Sequence, residues 1–335
     1  MPCAKRHITE LMVLVLISSL VRSSNTPLLI YKKKYIMGTV FEIAAYDRSS
    51  QQASDAIEKA FQEIIRIDDL MSNYKADSAL SKLNRSAHFH TETVPVDLYR
   101  AIDRSLQLSK FSGGKFDISV APLVNLWKAA LSGDSMPSPA QQQEVRNCVG
   151  YEKIELTPPD QITFHSDCLQ VDLGAIGKGY AVDCAAEILQ SSGIHNALIN
   201  AGGSTIVAMG APPGQTAWLV HLRDPSRKID PQVMLRDQSV STSEQTAPSL
   251  LAKPVGHIVD PETGKPLKTD FAMSVIAKKG TITDGLSTTL LLLGPTKGKL
   301  LVNQMSDVSA IWISSVGQVE TAIGGPQIIF PKKSS

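Results

Sequence analysis

The stretch VDLGAIGKGY, residues 171–180, joins an apolar, β-branched run to a segment of helical period, and glycine occupies positions 174, 177 and 179. Glycine lets a backbone come close to a ligand, and the open N–H groups at the start of a helix suit an anion such as a phosphate. Only two residues separate Gly174 from Gly177-Lys178, where a Walker A loop needs four, and Gly179 stands in place of the hydroxyl residue. The segment does not follow G-x-G-x-x-G either. Two readings stay open for it: a phosphate-holding loop, or a plain tight turn between strand and helix.

Working outward, the pattern on the C-terminal side predicts a helix over 177–191 and strands near 196–200, 204–209 and 217–222. Thr283 is placed to cap a further helix that stops at Gly294-Pro295. On the N-terminal side, strands are expected at 161–171, 151–156 and 36–46. Ser50 can cap a helix whose apolar positions Ala53, Ile57, Ala60, Phe61, Ile64 and Ile65 recur at three and four, and a second helix runs from 97 to 111 with Gly113 and Gly114 as its stop. Residues 132–139, SGDSMPSP, are punctuated as a linker. The strands come in runs rather than in strict alternation with helices, so the fold class is α+β.

A chain of 335 residues corresponds to about two domains or lobes. Its 33 basic and 32 acidic residues leave a formal charge of +1, which excludes a dedicated nucleic-acid binder, because neutralising phosphates needs a basic face. The first residues differ from this average. Lys5, Arg6 and His7 precede an apolar run at 11–21, and small Ser23 and Ser24 follow, which is the order of a secretory signal over residues 1–23. Eleven residues fall short of the about 20 that span a bilayer, so a cleaved signal is favoured over an N-terminal membrane anchor. No cysteine follows the run, and Cys3 precedes it, so a lipid anchor is not expected. The remaining chain, 24–335, is read as a periplasmic or otherwise extracytoplasmic protein. Cys148, Cys168 and Cys184 show no C-x-x-C spacing, which excludes a zinc ribbon or a thioredoxin-like site. Cys184 reads as a core residue, and Cys148 can pair with Cys168 in an oxidising compartment.

Three more polar stretches exceed what packing needs. Asp284 and Thr288 are four apart, so on a helix their oxygens share one face and can hold a hard cation; Asp284 can equally complement the helix dipole, and Thr288 can bond back to the main chain. His257 enters a turn built on Asp260-Pro261 and Thr263-Gly264. Asn200-Ala-Gly-Gly203 places a glycine pair at a strand end.

Taken in order, these stretches resemble the ApbE family, the FAD:protein FMN transferases. Met37-Gly-Thr39 is similar to the family's opening M-G-T, and Met71-Ser-Asn-Tyr74 with Ser78 and Leu83-Asn84 to its M-S-x-Y…S…L-N segment. Residues 114–127, GKFDISVAPLVNLW, resemble the G-x-F-D-[IV]-[ST]-V-x-P-L…W block. DLGAIGKGY at 172–180, NAGG at 200–203, HIVDPETG at 257–264 and DGLST at 284–288 look like the later motifs. Two departures stand out. Thr242-Ser-Glu-Gln-Thr246 replaces the usual T-S-G, putting Glu244 where a loop approaches ligand, and Gly285 stands where alanine is usual.

The resemblance implies a T-fold-like catalytic unit of two lobes, divided near 132–139, with the ligand in the cleft between them. It implies that FAD is the substrate, Mg²⁺ the cofactor, and a Thr or Ser hydroxyl of an acceptor flavoprotein, a subunit of a membrane redox complex, the receiver of FMN, with AMP released. Met37, Tyr74, Lys115, Phe116, Asp117, Asp172, Lys178 and Ile258 match positions that contact the flavin nucleotide. Ala175, through its carbonyl, Asp284 and Thr288 match the metal site, an all-oxygen set suited to Mg²⁺. Lys178 and Mg²⁺ would stabilise phosphate charge, and His257 is the candidate base, with Asp172 or Asp284 as alternatives. Hydrolysis of FAD to FMN and AMP, or flavin binding without turnover, are the rival functions. The oligomeric state is left open.

Overall fold

The computed structural model describes residues 26–132, 135–245, 258–325 and 327–330. The expected signal segment and His257 lie outside the described residues. Residues 28–47 turn back on themselves at Met37-Gly38, forming β1 (Leu28–Ile36) and β2 (Thr39–Asp47) with Ile36 opposite Thr39. Both corner residues have positive φ, 51° and 74°, as a two-residue hairpin turn requires. The single strand expected at 36–46 is therefore the second arm of a hairpin. Lysines 32–34 hide the first arm in the sequence, yet Lys32 and Lys34 point toward a helix and reach Glu58 at 2.9 and 2.6 Å.

The hairpin opens an eight-stranded sheet completed by β3 (Asn196–Ala201), β4 (Thr205–Met209), β5 (Gln238–Glu244), β6 (Phe271–Ala277), β7 (Ser309–Ser314) and β8 (Val319–Ile323). Spatial order follows chain order and every neighbour is antiparallel, which makes the fold α+β as expected. The helices inserted between strands are α1 (Ser50–Met71), α2 (Ala79–Ser86), α3 (Val96–Phe111), α4 (Ala121–Ser132), α5 (Pro139–Arg146), α6 (Gly177–Ser191) and α7 (Gly280–Val302). The expected division at 132–139 falls between α4 and α5, and the large sheet takes strands from both sides of it.

Side chains alternate across the sheet with the period of two that a strand imposes. Met273, Val275, Ala310 and Trp312 pack with Leu286, Leu290 and Leu291 of α7. The intervening Ile276, Ile311 and Ile313 pack on a small sheet of Trp218–His221, Gln232–Leu235 and Ile328–Ile329. On the helical side, Phe41, Ile43, Ile199 and Val207 bury against Ile57 and Phe61 of α1 and Ala181 of α6. A second layer thus fixes α6 and α7 over the centre of the sheet.

Several boundaries differ from expectation. Ser49, one residue earlier than predicted, caps α1 by accepting the Gln52 N–H. The strand placed at 161–171 stops at Phe164. Thr283 is not a cap: α7 begins at Gly280, and the Gly280 and Thr281 N–H groups donate to the Asp183 carboxylate of α6 at 2.8 and 2.9 Å. At Gly294 (φ 67°) the helix breaks before Pro295, as read, but the chain resumes helical geometry to Val302. Cys148 and Cys168 form a disulfide, and Cys184 is a free thiol whose pKa burial pushes up to about 12.

Candidate active site

A cavity of about 790 Å³ opens where the β1–β2 corner, the loop after α1, the α3–α4 connection and the facing ends of α6 and α7 meet. Its wall includes Met37, Tyr74, Lys115, Phe116, Asp117, Asp172, Ala175, Lys178, Ile258, Asp284 and Thr288. Every described residue predicted for the site therefore lines one cavity, although 251 positions of sequence separate the first from the last. His257 is the single predicted residue outside the described ones.

Local hydrogen bonds explain why the motif residues lie there. The Ser78 hydroxyl donates to Ser72 O and accepts from the Ser81 N–H, closing the loop that presents Tyr74 and starting α2. Asn84 pairs with Val171 in both directions, its Nδ2 donating to the carbonyl (2.9 Å) and its Oδ1 accepting the N–H (2.8 Å). Asparagine carries the donor and the acceptor on separate atoms of one short amide, so it can meet both main-chain groups at once. The clamp sets the residue immediately before Asp172. Tyr74 itself is 87% exposed, with the Lys128 ammonium 3.1 Å from its hydroxyl and 5.2 Å from its ring centre.

Two polar residues of the α3–α4 connection are already engaged. Asp117 accepts the Ser119 N–H and hydroxyl on one oxygen and the Tyr151 N–H on the other. Burial pushes its carboxyl above the ordinary range, against the pull of those donors. Lys115 bridges to Asp260 at 3.1 Å and Glu262 at 2.7 Å; burial depresses its pKa, but the two carboxylates outweigh this and raise it. This pair ties the loop before α4 to the short Val259–Asp260/Lys265–Pro266 hairpin, whose Gly264 carbonyl accepts the Trp127 indole N–H. Phe116 and Ile258 supply apolar wall, 2% and 9% exposed.

The glycines of 171–180 act in a way that spacing did not reveal. A Cβ on Gly179 would lie 2.2 Å from Gly280 O and 2.7 Å from the Asp284 Cβ, so glycine here permits α6 to cross α7 rather than a ligand to approach. Through that contact the Gly179 N–H donates to Asp284 Oδ2 at 2.8 Å, while the Thr205 hydroxyl donates to Oδ1 at 3.1 Å. Asp284 is 5% exposed. Burial pushes its carboxyl up, and the Lys178 charge with these two donors pulls it back. Among the described residues Asp284 has no ion-pair partner within bonding distance. Thr288, one turn on, bonds the Ser243 hydroxyl at 3.1 Å rather than the main chain. Asp284, Thr288 and Ala175 all line the cavity and offer it only oxygen donors, a carboxylate, a hydroxyl and a main-chain carbonyl, and no group of three or more His, Cys, Asp or Glu side chains gathers among the described residues. Such a partial set fits a hard cation that keeps water and phosphate oxygens as its other ligands.

A family model described as the ApbE family matches residues 37–312. The chain belongs to the ApbE family. A FAD:protein FMN transferase of Treponema pallidum is 28% identical over 88% of this chain and 86% of its own length. One from Haemophilus influenzae is 30% identical over 78% of this chain and 80% of its own. Among solved structures, the flavin transferase ApbE from Vibrio cholerae superimposes with a TM-score of 0.79, covering 89% of this chain and 98% of that one at 24% identity, a likeness of fold. The apo form of Pseudomonas stutzeri flavinyl transferase ApbE gives 0.76 over 88% and 94% at 26% identity.

Against that ApbE background, the two departures acquire structural reasons. Glu244 ends β5 opposite Ala272 in ordinary strand geometry, lines the cavity, and receives a two-pronged bond from Arg223 at 2.9 and 2.8 Å. No positive φ is needed there, so the loss of glycine carries no backbone strain. At Gly285 a Cβ would come within 2.6 Å of Leu108 Cδ2, so glycine in α7 is matched to a leucine of α3. Sequence reasoning passed over Asp183, Thr205 and the serines of β5. The only signal for the serines was the alternation of hydroxyls in QSVSTSE, residues 238–244, unusual for a strand at the centre of a sheet.

Proposed function

We propose that this chain transfers FMN from FAD to a Thr or Ser hydroxyl of an acceptor flavoprotein and releases AMP. One observation carries the reading beyond family membership: the residues matched to nucleotide contacts and to the metal site, scattered along the chain, meet around a single cavity of ligand size. Ala175, Asp284 and Thr288 would hold Mg²⁺, which when bound neutralises charge on the phosphate oxygens.

In the reaction, the acceptor oxygen forms a bond to the FMN-side phosphorus, the bond from that phosphorus to the bridging oxygen breaks, and AMP leaves with that oxygen. Lys178, at the first turn of α6, adds positive charge where the phosphates pass. Met37, Phe116 and Ile258 form an apolar wall for the flavin, and exposed Tyr74 offers a ring face. The acceptor's proton goes to a base, for which His257 is the candidate. Asp284 is poorly suited to that task, because this reading assigns its carboxylate to Mg²⁺, and a nearby cation favours the charged form and lowers its basicity. Asp172 uses one oxygen to hold the Gly174 N–H.

We further propose that the protein is exported and acts on a subunit of a membrane redox complex. The Cys148–Cys168 disulfide supports an oxidising compartment. Among the described residues no helix is long and apolar enough to cross a membrane.

Incubation with FAD, Mg²⁺ and a Thr-bearing acceptor flavoprotein tests the reading. The acceptor should remain fluorescent after denaturation, with one AMP formed per label. AMP without label would make the protein a FAD diphosphatase, and no AMP at all would make it a flavin binder.

A further inference from the structure

The inward face of β5 carries Ser239, Ser241 and Ser243, every second residue, and all three meet hydroxyls of α7 or of the strand beside it. Ser239, Ser241, Thr205 and Thr283 are each 0% exposed. Their bonds have a direction. Ser239 donates to Ile206 O at 2.9 Å, and Ser241 donates to Thr205 Oγ1 at 3.1 Å. Thr205 in turn donates to Asp284 Oδ1 at 3.1 Å. A hydroxyl has one proton. Thr283 Oγ1 lies 2.7 Å from the Ser241 hydroxyl, 2.9 Å from that of Ser239 and 3.1 Å from Gly280 O, to which it donates its own proton. The directed chain therefore runs Ser241 to Thr205 to Asp284, both protons pointing toward the carboxylate. Four buried hydroxyls in a central strand and its neighbours are poor packing material unless every one is satisfied. Here each has an acceptor: Ser239 and Thr283 use the Ile206 and Gly280 carbonyls, and Ser241 and Thr205 form the line that ends on Asp284.

We propose that Thr205, oriented by Ser241, is a positioning residue that fixes the Asp284 carboxylate for the metal. The inference rests on the metal role given to Asp284 above and deepens it. Gly179 holds one oxygen from α6 and Thr205 holds the other from β4, so the carboxylate plane is set by two rigid elements before any ion arrives. Partners that orient a metal ligand change metal affinity by about 10- to 100-fold when removed. Thr205 touches neither substrate nor the reacting atoms in this arrangement, and its effect is on cation binding rather than on the chemical step.

The test is titration of Mn²⁺ into the full chain, reading free ion by electron paramagnetic resonance, beside the Mg²⁺ dependence of AMP release. Thr205→Val should weaken Mn²⁺ binding about 10-fold or more and raise the Mg²⁺ needed for half-maximal rate in step, with kcat at saturating Mg²⁺ changed far less. Thr205→Ser should restore both. Because valine leaves an oxygen of Asp284 without its donor, Ser241→Ala serves as a second variant that breaks the chain one link earlier while Thr205 keeps its hydroxyl; it should shift Mn²⁺ binding in the same direction by a smaller factor. Wild-type Mn²⁺ affinity in folded Thr205→Val, or a loss in Thr205→Ser as large as in valine, overturns the positioning role. Asp284→Asn separates the two levels: if it binds Mn²⁺ like the wild type, the metal assignment itself fails and takes this inference with it.

Discussion

Asp284 concentrates the residue-scale physics of the site. A carboxylate 5% exposed, with an N–H and a hydroxyl as its bonded partners, carries a desolvation penalty that a cation would relieve. Asp284→Ala should lower both AMP release and acceptor labelling by about 10²- to 10³-fold, the scale of losing a main electrostatic stabiliser, while circular dichroism stays native. His257→Ala gives a different pattern under single turnover: a large loss in transfer supports the base role, whereas an unchanged rate assigns the proton elsewhere. Glu244 is a smaller matter for stability. Its partner Arg223 is 61% exposed, so water screens the pair, and Glu244→Gln should change unfolding free energy by under about 1 kcal/mol in a denaturant titration.

The element that matters most is the crossing of α6 and α7. Gly179→Ala would set a methyl group 2.2 Å from a main-chain oxygen, which no rotamer can relieve, so the helices must part. We expect about 1–3 kcal/mol of lost stability together with lost activity, because the same contact delivers the Gly179 N–H to Asp284. Asp183 holds the other end of this joint, capping α7 through Gly280 and Thr281. Burial pushes its carboxyl up, and the Thr281 and Gly280 donors with Lys279 only partly offset that. A folded-state pKa above the unfolded one means that this group's stabilising contribution is fully present below the ordinary aspartate value of 3.8 and is lost as pH rises through the folded value. Relative to Asp183→Asn, which does not titrate, wild-type stability should therefore decline over that interval; parallel curves of stability against pH would show that the carboxyl is not perturbed. The sequence made α6 and α7 legible as helices through their period. It hid the joint, since Gly179 and Asp183 look like a loop glycine and a helix-surface acid until the second helix, about a hundred residues later, is laid across them.

At the scale of the whole molecule, the sheet collects strands from both ends of the chain, and the Cys148–Cys168 bond closes a loop that leads into the stretch before Asp172. The two cysteines are 20 positions apart, so replacing both with serine should cost about 3 kcal/mol on the chain-entropy scale, seen as a lower unfolding midpoint in non-reducing buffer. An equal midpoint in wild type and variant would leave the bond without a stabilising role. The sequence by itself determined the α+β class, the near-neutral charge that excludes nucleic acid, and the chemical types at the site: lysines, an aspartate with a hydroxyl one turn on, and glycines at element ends. These follow from composition and local period, which the chain carries without its partners. Only the tertiary structure decided what each of those residues does. Gly179 serves a helix crossing, the Asp117 carboxylate closes a loop, Lys115 is bridged to Asp260 and Glu262, and a line of buried hydroxyls stands behind Asp284. Each role is a contact between segments distant in sequence, and a one-dimensional pattern holds no distance between them.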